Sequence, residues 1–404
     1  MVDAAPFRAL RYDPAVAGDP AATSAPAYDD LERFAYARHR TASPYTVLEL
    51  LAPSAPTPGG AFRAAGAAFD RWRRTGVLVT EPEPAFYVYE EHELRHGVPA
   101  LQRGVLAAVR VGDPQVHGHE GTDPARVAER VERLAAVPAD LAPVFGVYVT
   151  APPDLRELLD ERPRRAPLLG LTDEAGVDHR VWAVTGAVRT AALRRALGAL
   201  ELVIADGHHR WAAAAALRDR RPELDRTLVY LVDAGRHGPQ VLPVHRLVTE
   251  LPSDVEARLA DTFVVTPVAD NLATLAATLD QTPSTALGLR LSGGRNLLLT
   301  AKGDLDDRLP PGHSTVWRRL DTAVLHHAVL PRLGAATVEY RSDKVAAAAE
   351  VDARGDAGLF LVRPVDPQTV FTCATAGEVM PPKTTYFRPK PRAGLVMRWP
   401  GSDT

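Results

Sequence analysis

The 404-residue chain has a single cysteine, Cys373, so no disulfide can close within it and no cage of thiolates can hold a metal. It is poor in lysine, with Lys302, Lys344, Lys383 and Lys390 the only lysines among 47 basic residues. Coding bias toward arginine explains that scarcity without reference to function. It also lacks an excess of positive charge: the formal charge is −3, which gives no basic field for duplex nucleic acid and makes nucleic acid an unexpected partner. No window holds ~20 uninterrupted apolar residues, so no membrane span is expected. Met1 to Leu10 carries Asp3 and no long apolar stretch, unlike a secretory signal, so a reducing, cytoplasmic setting is the expectation. The patterns G-x-x-x-x-G-K-[ST], G-x-G-x-x-G and G-x-S-x-G do not occur, which removes the main support for P-loop, protein-kinase and serine-hydrolase readings.

What is present is ordinary globular composition, 46% hydrophobic and 24% charged, in a chain longer than one core usually serves. Two domains are therefore expected, residues 1–250 and residues 251–404. Residues 1–60 are rich in Pro, Ala and Ser, with a turn at Pro26-Ala27-Tyr28-Asp29 and a helix over 30–40. Phe62, Ala65, Phe69 and Trp72 recur at helical spacing within 61–75. Strands are expected over 85–90, 105–111, 144–149, 179–184, 200–205, 226–232 and 240–247. Thr122-Asp123-Pro124 reads as the start of a helix ending near Ala136, with Thr or Asp as cap and Pro in the first turn. Beyond 250, the pattern runs helix, strand, helix to 277, then a hairpin turning at Gly293-Gly294, then strands 338–341 and 358–362 around a helix over 342–350. The alternation is not a clean βαβ series, so the fold class is α+β with a further α/β region toward the C-terminus.

The densest chemistry lies at Asp206-Gly207-His208-His209-Arg210. Leu202-Val203-Ile204-Ala205 before it is apolar, with β-branched Val203 and Ile204, whereas Arg210 to Leu217 is a strong helix former, so the five residues form a strand-to-helix turn. The first-turn amides of such a helix favour phosphate or carboxylate. Gly207 permits close approach, Arg210 can clamp two anionic oxygens, the histidines add donors, and Asp206 can ligate Mg2+ or take a proton. The alternative is that Asp206 caps the helix while the histidines pack or face solvent.

A second cluster, Val116 to Thr122, offers His117, His119, Glu120 and Thr122 at another helix start. Glu120 can act as a general base toward a hydroxyl, or the segment is a solvated loop. His-x-His matches metal-ligand spacing, but no third ligand follows from order alone. The third region, Gly377 to Lys390, holds half of the lysines. Lys383 is a point charge for a phosphate, with Thr384 and Thr385 as donors; otherwise it is a proline-stiffened strap over the core. Pro243-Val244-His245-Arg246, Tyr340-Arg341-Ser342-Asp343 and His326-His327 are lesser clusters, and the last lies in an apolar helix-like run.

Together, Pro6 to Tyr12, Ser43-Pro44-Tyr45, His119 to Thr122, Ala205 to Arg210, Pro243 to Arg246 and Met380 to Lys390 resemble the DUF1015 family in order and over the full length. Two departures stand out: Ala27 replaces a second proline, and Thr384 stands where Ser is more usual. The DGHHR turn is also similar to the Gly-x-x-Arg turn of the ParB and sulfiredoxin superfamily, where nucleotide phosphates bind. Within it, the archaeal free-serine kinase carries Asp-Gly-x-His-Arg and a separate catalytic glutamate. This resemblance implies a ParB/sulfiredoxin-like core in residues 1–250 and gives Asp206, His208, His209 and Arg210 the phosphates and a metal, with Glu120 as base.

The expectation is a kinase using ATP or ADP with Mg2+ on the hydroxyl of serine or a serine-like small molecule. Asp206, His208, His209 and Glu120 are its catalytic candidates, with Asp206 also the metal ligand. Gly207, His209, Arg210, Lys383 and Thr384 are the phosphate contacts, and His119, Thr122, His245 and Arg246 the acceptor contacts. A phosphoester hydrolase and a non-catalytic nucleotide-binding regulator are the rival readings. The oligomeric state is not legible.

Overall fold

The computed structural model describes residues 1–27, 33–53, 58–95, 97–161, 166–222, 224–269, 271–334 and 337–402. The turn expected at Tyr28-Asp29 and the first residues of the helix expected from Asp30 lie outside them. The chain divides into two compact units: residues 1–118, 122–239 and 389–404 form the first, and 119–121 with 240–388 form the second. The sequence boundary at 250/251 differs from this division, which also assigns the short 119–121 segment to the second unit and the last residues to the first.

The first unit is built on a nine-stranded mixed sheet. Its order is Val116–His117, Leu202–Asp206, Val144–Tyr148, Arg226–Asp233, Val98–Arg110, Phe86–Arg95, Asp178–Val184 and Leu169–Thr172, with Ala4–Ala5 pairing onto Val98–Arg110. Two pairs are parallel, Leu202–Asp206 with Val116–His117 and Arg226–Asp233 with Val144–Tyr148, and the others are antiparallel. That mixture is α+β, as the irregular alternation in the sequence implies. Leu202, Val203 and Ile204 are all buried, so both faces of this strand are covered and the sequence reads as a continuous apolar run. Helix Ala187–Gly198 places Leu193 and Leu197 in the same core as Phe86, Val105 and Leu231.

Helix Pro58–Arg74 buries Ala65, Ala68, Phe69 and Trp72, one face at helical spacing. Burying each of the two aromatic side chains is worth about 2–3 kcal/mol. Trp72 packs edge-on to Tyr45, ring centroids 5.7 Å apart.

The second unit carries a six-stranded antiparallel sheet, ordered Phe263–Val268, Asn296–Ala301, Ala286–Leu291, Gly358–Leu361, His245–Thr249 and Thr337–Arg341. The single strand expected over 240–247 is in fact two. Gln240–Leu242 pairs with Tyr386–Arg388, and His245–Thr249 joins the larger sheet. Pro243, which has no N–H to give a ladder, stands at the break. Helices Pro153–Asp160 and Ala187–Gly198 and strand Leu169–Thr172 had no clear sequence signal. No helix among the described residues is long and apolar enough to cross a membrane.

Candidate functional site

In the first unit the strand Leu202–Asp206 ends in Gly207, which turns with φ 96° into helix His208–Arg218. Only glycine adopts that left-handed geometry without strain, and a Cβ here would also lie 3.0–3.1 Å from the Arg210 guanidinium. Arg210 folds back over the turn: its Nη2 donates to Asp206 Oδ2 and its Nη1 to the Pro143 carbonyl, each at 2.5 Å. The other Asp206 oxygen, Oδ1, lies 2.7 Å from Lys390 Nζ. Burial alone would raise the Asp206 carboxyl, but Lys390 and Arg210, with His208 behind them, hold it down at about 2.

Two consequences follow for the expected roles. The Arg210 fork, expected to clamp a bound anion, spends both terminal nitrogens inside the protein. Each oxygen of Asp206 already faces a cation, so a metal there would have to displace Lys390 or Arg210. Asp206 therefore does not fit as the Mg2+ ligand, and among the described residues no three His, Cys, Asp or Glu are grouped to hold a metal. What the turn offers instead is two cations about one carboxylate, hence net positive charge, at the positive end of a helix dipole.

The two histidines of the turn differ. His208 is buried, whereas His209 is half-buried and its Nε2 accepts the backbone N–H of Asp123 at 3.0 Å. Asp123, not Thr122, caps helix Pro124–Ala136, its carboxylate accepting from Ala125 N, while Thr122 is exposed. His209 thus ties the starts of two helices together. His117, also in this unit, bonds Glu201 at 2.9 Å.

The second unit gathers other conspicuous sequence clusters around Arg246, which is fully buried. Its Nη1 donates to the Val244 carbonyl, its Nη2 to the Pro382 carbonyl at 2.8 Å, and its Nε to His326 Nε2 at 3.2 Å. The guanidinium lies 4.7 Å from the Tyr340 ring centre. Burial lowers this arginine to about 10, while Tyr340 and Glu120 act in the opposite direction. His119 is fully buried; its Nε2 bonds the Thr385 hydroxyl at 2.8 Å, and its carbonyl accepts from Met380 N at 2.8 Å. His245 is buried as well, with Nδ1 accepting from Val362 N at 3.3 Å, and burial lowers it to about 4. Thr384, expected to donate to a phosphate, is buried and donates instead to the Pro381 carbonyl at 2.6 Å. Lys383 is exposed, and Glu120 is half-buried.

His119, His245, Arg246 and Thr384 are thus each engaged in hydrogen bonds within the second unit. Lys390 is the residue that the sequence reading passed over. The lysine-rich stretch signalled it, but spacing alone favoured Lys383, because contact with Asp206 depends on the chain's return into the first unit.

A family model described as "Protein of unknown function (DUF1015)" matches residues 4–323. The chain belongs to the DUF1015 family. No curated protein matches this DUF1015 chain. Among solved structures, SbnI with a C-terminal truncation from Staphylococcus aureus aligns over 70% of the chain and 82% of its own, at 13% identity and TM-score 0.39. A free serine kinase in complex with AMP aligns over 70% and 86%, at 15% identity and TM-score 0.38. A conserved hypothetical protein from Pyrococcus furiosus aligns over 70% and 90%, at 15% identity and TM-score 0.36. Superpositions this loose carry no argument about activity.

Proposed function

We propose that this DUF1015 protein is a nucleotide-dependent phosphotransferase acting on the hydroxyl of free serine or a serine-like small molecule, with ATP or ADP as donor. The observation that carries the phosphate half of the reading is the Lys390–Asp206–Arg210 arrangement at the first turn of helix His208–Arg218. Asp206 holds the two cations in place, so their positive charge is organised before a phosphate arrives, and preorganised charge is what phosphoryl transfer draws on most.

In the transfer, the acceptor oxygen bonds to the terminal phosphorus as the bond from that phosphorus to the nucleotide's bridging oxygen breaks. The hydroxyl proton passes to a carboxylate. Glu120 is the carboxylate that the resemblance to the free-serine kinase offers for that task. Asp206 is not assigned to a metal, and no step is routed through one.

The test is a transfer screen with ATP and ADP against free amino acids, with the phosphorylated product detected by mass. A product that disappears in Glu120→Ala while nucleotide affinity persists supports the kinase. Phosphate release from phosphoserine without nucleotide would establish the hydrolase instead. Tight nucleotide binding with no product from any acceptor would leave a regulator and sink the proposal.

A further inference from the structure

In the second unit, Lys383 has φ 55°, a left-handed backbone that lysine rarely adopts. The turn around it is fixed residue by residue. Thr384 Oγ1 donates to the Pro381 carbonyl at 2.6 Å and lies 2.9 Å from the Thr322 hydroxyl. Arg246 Nη2 holds the Pro382 carbonyl at 2.8 Å, and His119 holds the Thr385 side chain at 2.8 Å. Arg246, Thr384, His119 and Thr385 are all buried, so the flanks of the turn are anchored in the interior. Lys383 itself is exposed, and its ammonium makes no hydrogen bond or ion pair with any described residue.

A turn that only had to reverse the chain would be better served by glycine or asparagine, which enter this conformation cheaply. The strained position is occupied instead by the residue type whose only unspent asset is a charge. Strain of this kind persists where the surroundings over-determine it, and it clusters where a group must be presented.

We infer that Lys383 is a ligand-contacting cation for the oxyanion of a phosphate, and that Arg246 and Thr384 are positioning residues that hold its turn rather than contacts of their own. The inference rests on the phosphate-handling reading but concerns the second unit alone. Arg246, fully buried, shapes the backbone just before the lysine, and Thr384 shapes it just after. The ammonium, a compact and strongly hydrated point charge, suits a phosphate oxygen approached from solvent.

The experiment measures ATP and inorganic pyrophosphate binding to the full chain by calorimetry, alongside thermal unfolding. Lys383→Gly is expected to weaken ATP at least tenfold while the unfolding midpoint holds or rises, because glycine relieves the left-handed backbone. Arg246→Met and Thr384→Val are expected to weaken ATP in the wild-type background but to add nothing in the Lys383→Gly background, an outcome that general structural damage would not give. ATP bound equally by the wild type and Lys383→Gly overturns this inference and leaves the first-unit proposal standing. A wild-type chain that binds neither ATP nor pyrophosphate overturns both. Additive losses in the double variants would show that Arg246 and Thr384 do not act through Lys383.

Discussion

Lys390, close to the C-terminus, places its Nζ 2.7 Å from Oδ1 of Asp206 at the end of the strand Leu202–Asp206. The contact joins the last segment of the first unit to the turn that carries its densest polar chemistry. It also changes the meaning of that turn. A carboxylate that looks available for a metal is already the counter-ion of two cations.

Lys390→Met keeps the aliphatic stem and removes the charge. Stability is expected to fall by about 2 kcal/mol, between the values for exposed and fully buried ion pairs, as read by urea unfolding. The same variant should weaken ATP at least tenfold. The Asp206 carboxyl lies at about 2, below its unfolded value near 3.8, so its contribution is present above pH ~4 and is lost as pH falls toward 2. Lys390→Met should shift that acid limb to higher pH; an unchanged limb would remove the ion pair from the account.

Gly207→Ala meets both a φ of 96° and the guanidinium of Arg210. The cost is expected at about 1–3 kcal/mol, because alanine is strained in that backbone whatever the space available. Chemical denaturation measures it. A loss below ~0.5 kcal/mol would mean that the turn relaxes freely.

Glu91 predicts an alkaline weakness. It is fully buried, accepts a 2.5 Å hydrogen bond from Gln102, and is pushed by burial up to about 8. A carboxyl raised in the folded state contributes stability that is fully present below its unfolded value near 4.5 and is lost as pH rises through about 8. Urea midpoints compared at pH 6 and pH 9 should fall for the wild type and change less for Glu91→Gln, which stays neutral. Parallel curves for the two proteins would refute the assignment.

His245 and His326 predict a weakness of the opposite sign in the second unit. Burial lowers both to about 4, with nearby basic side chains adding to the effect. Their contribution is present above pH ~6.5 and is lost as pH falls through about 4. In NMR titrations their ring signals should stay flat from pH 8 to about pH 5 and move only below that. Movement near pH 6.5 would mean that these rings are solvated.

The elements were legible where residues carried their own reason for a shape. Leu202 to Ile204 is a strand because β-branched residues suit a doubly buried pleat. Helix Pro124–Ala136 begins where Asp123 caps it and Pro124 fits its first turn. The DGHHR turn was visible because an apolar strand meets an alanine-rich helix there with only polar residues and glycine between. Helix Ala187–Gly198 was harder to see, since its polar and apolar residues are spread nearly evenly around the axis.

The long-range partners of the polar side chains were settled by tertiary structure alone. Sequence marked Asp206, Arg210, Lys383, Thr384 and Arg246 as residues worth explaining, because composition and turn chemistry are local properties. It did not decide that Lys390 would reach Asp206, or that Arg246 would turn inward to hold the Pro382 carbonyl. Those outcomes depend on which distant carbonyls and carboxylates the folded chain brings within hydrogen-bond reach. Local spacing does not encode that, whereas sheet order and chain return do.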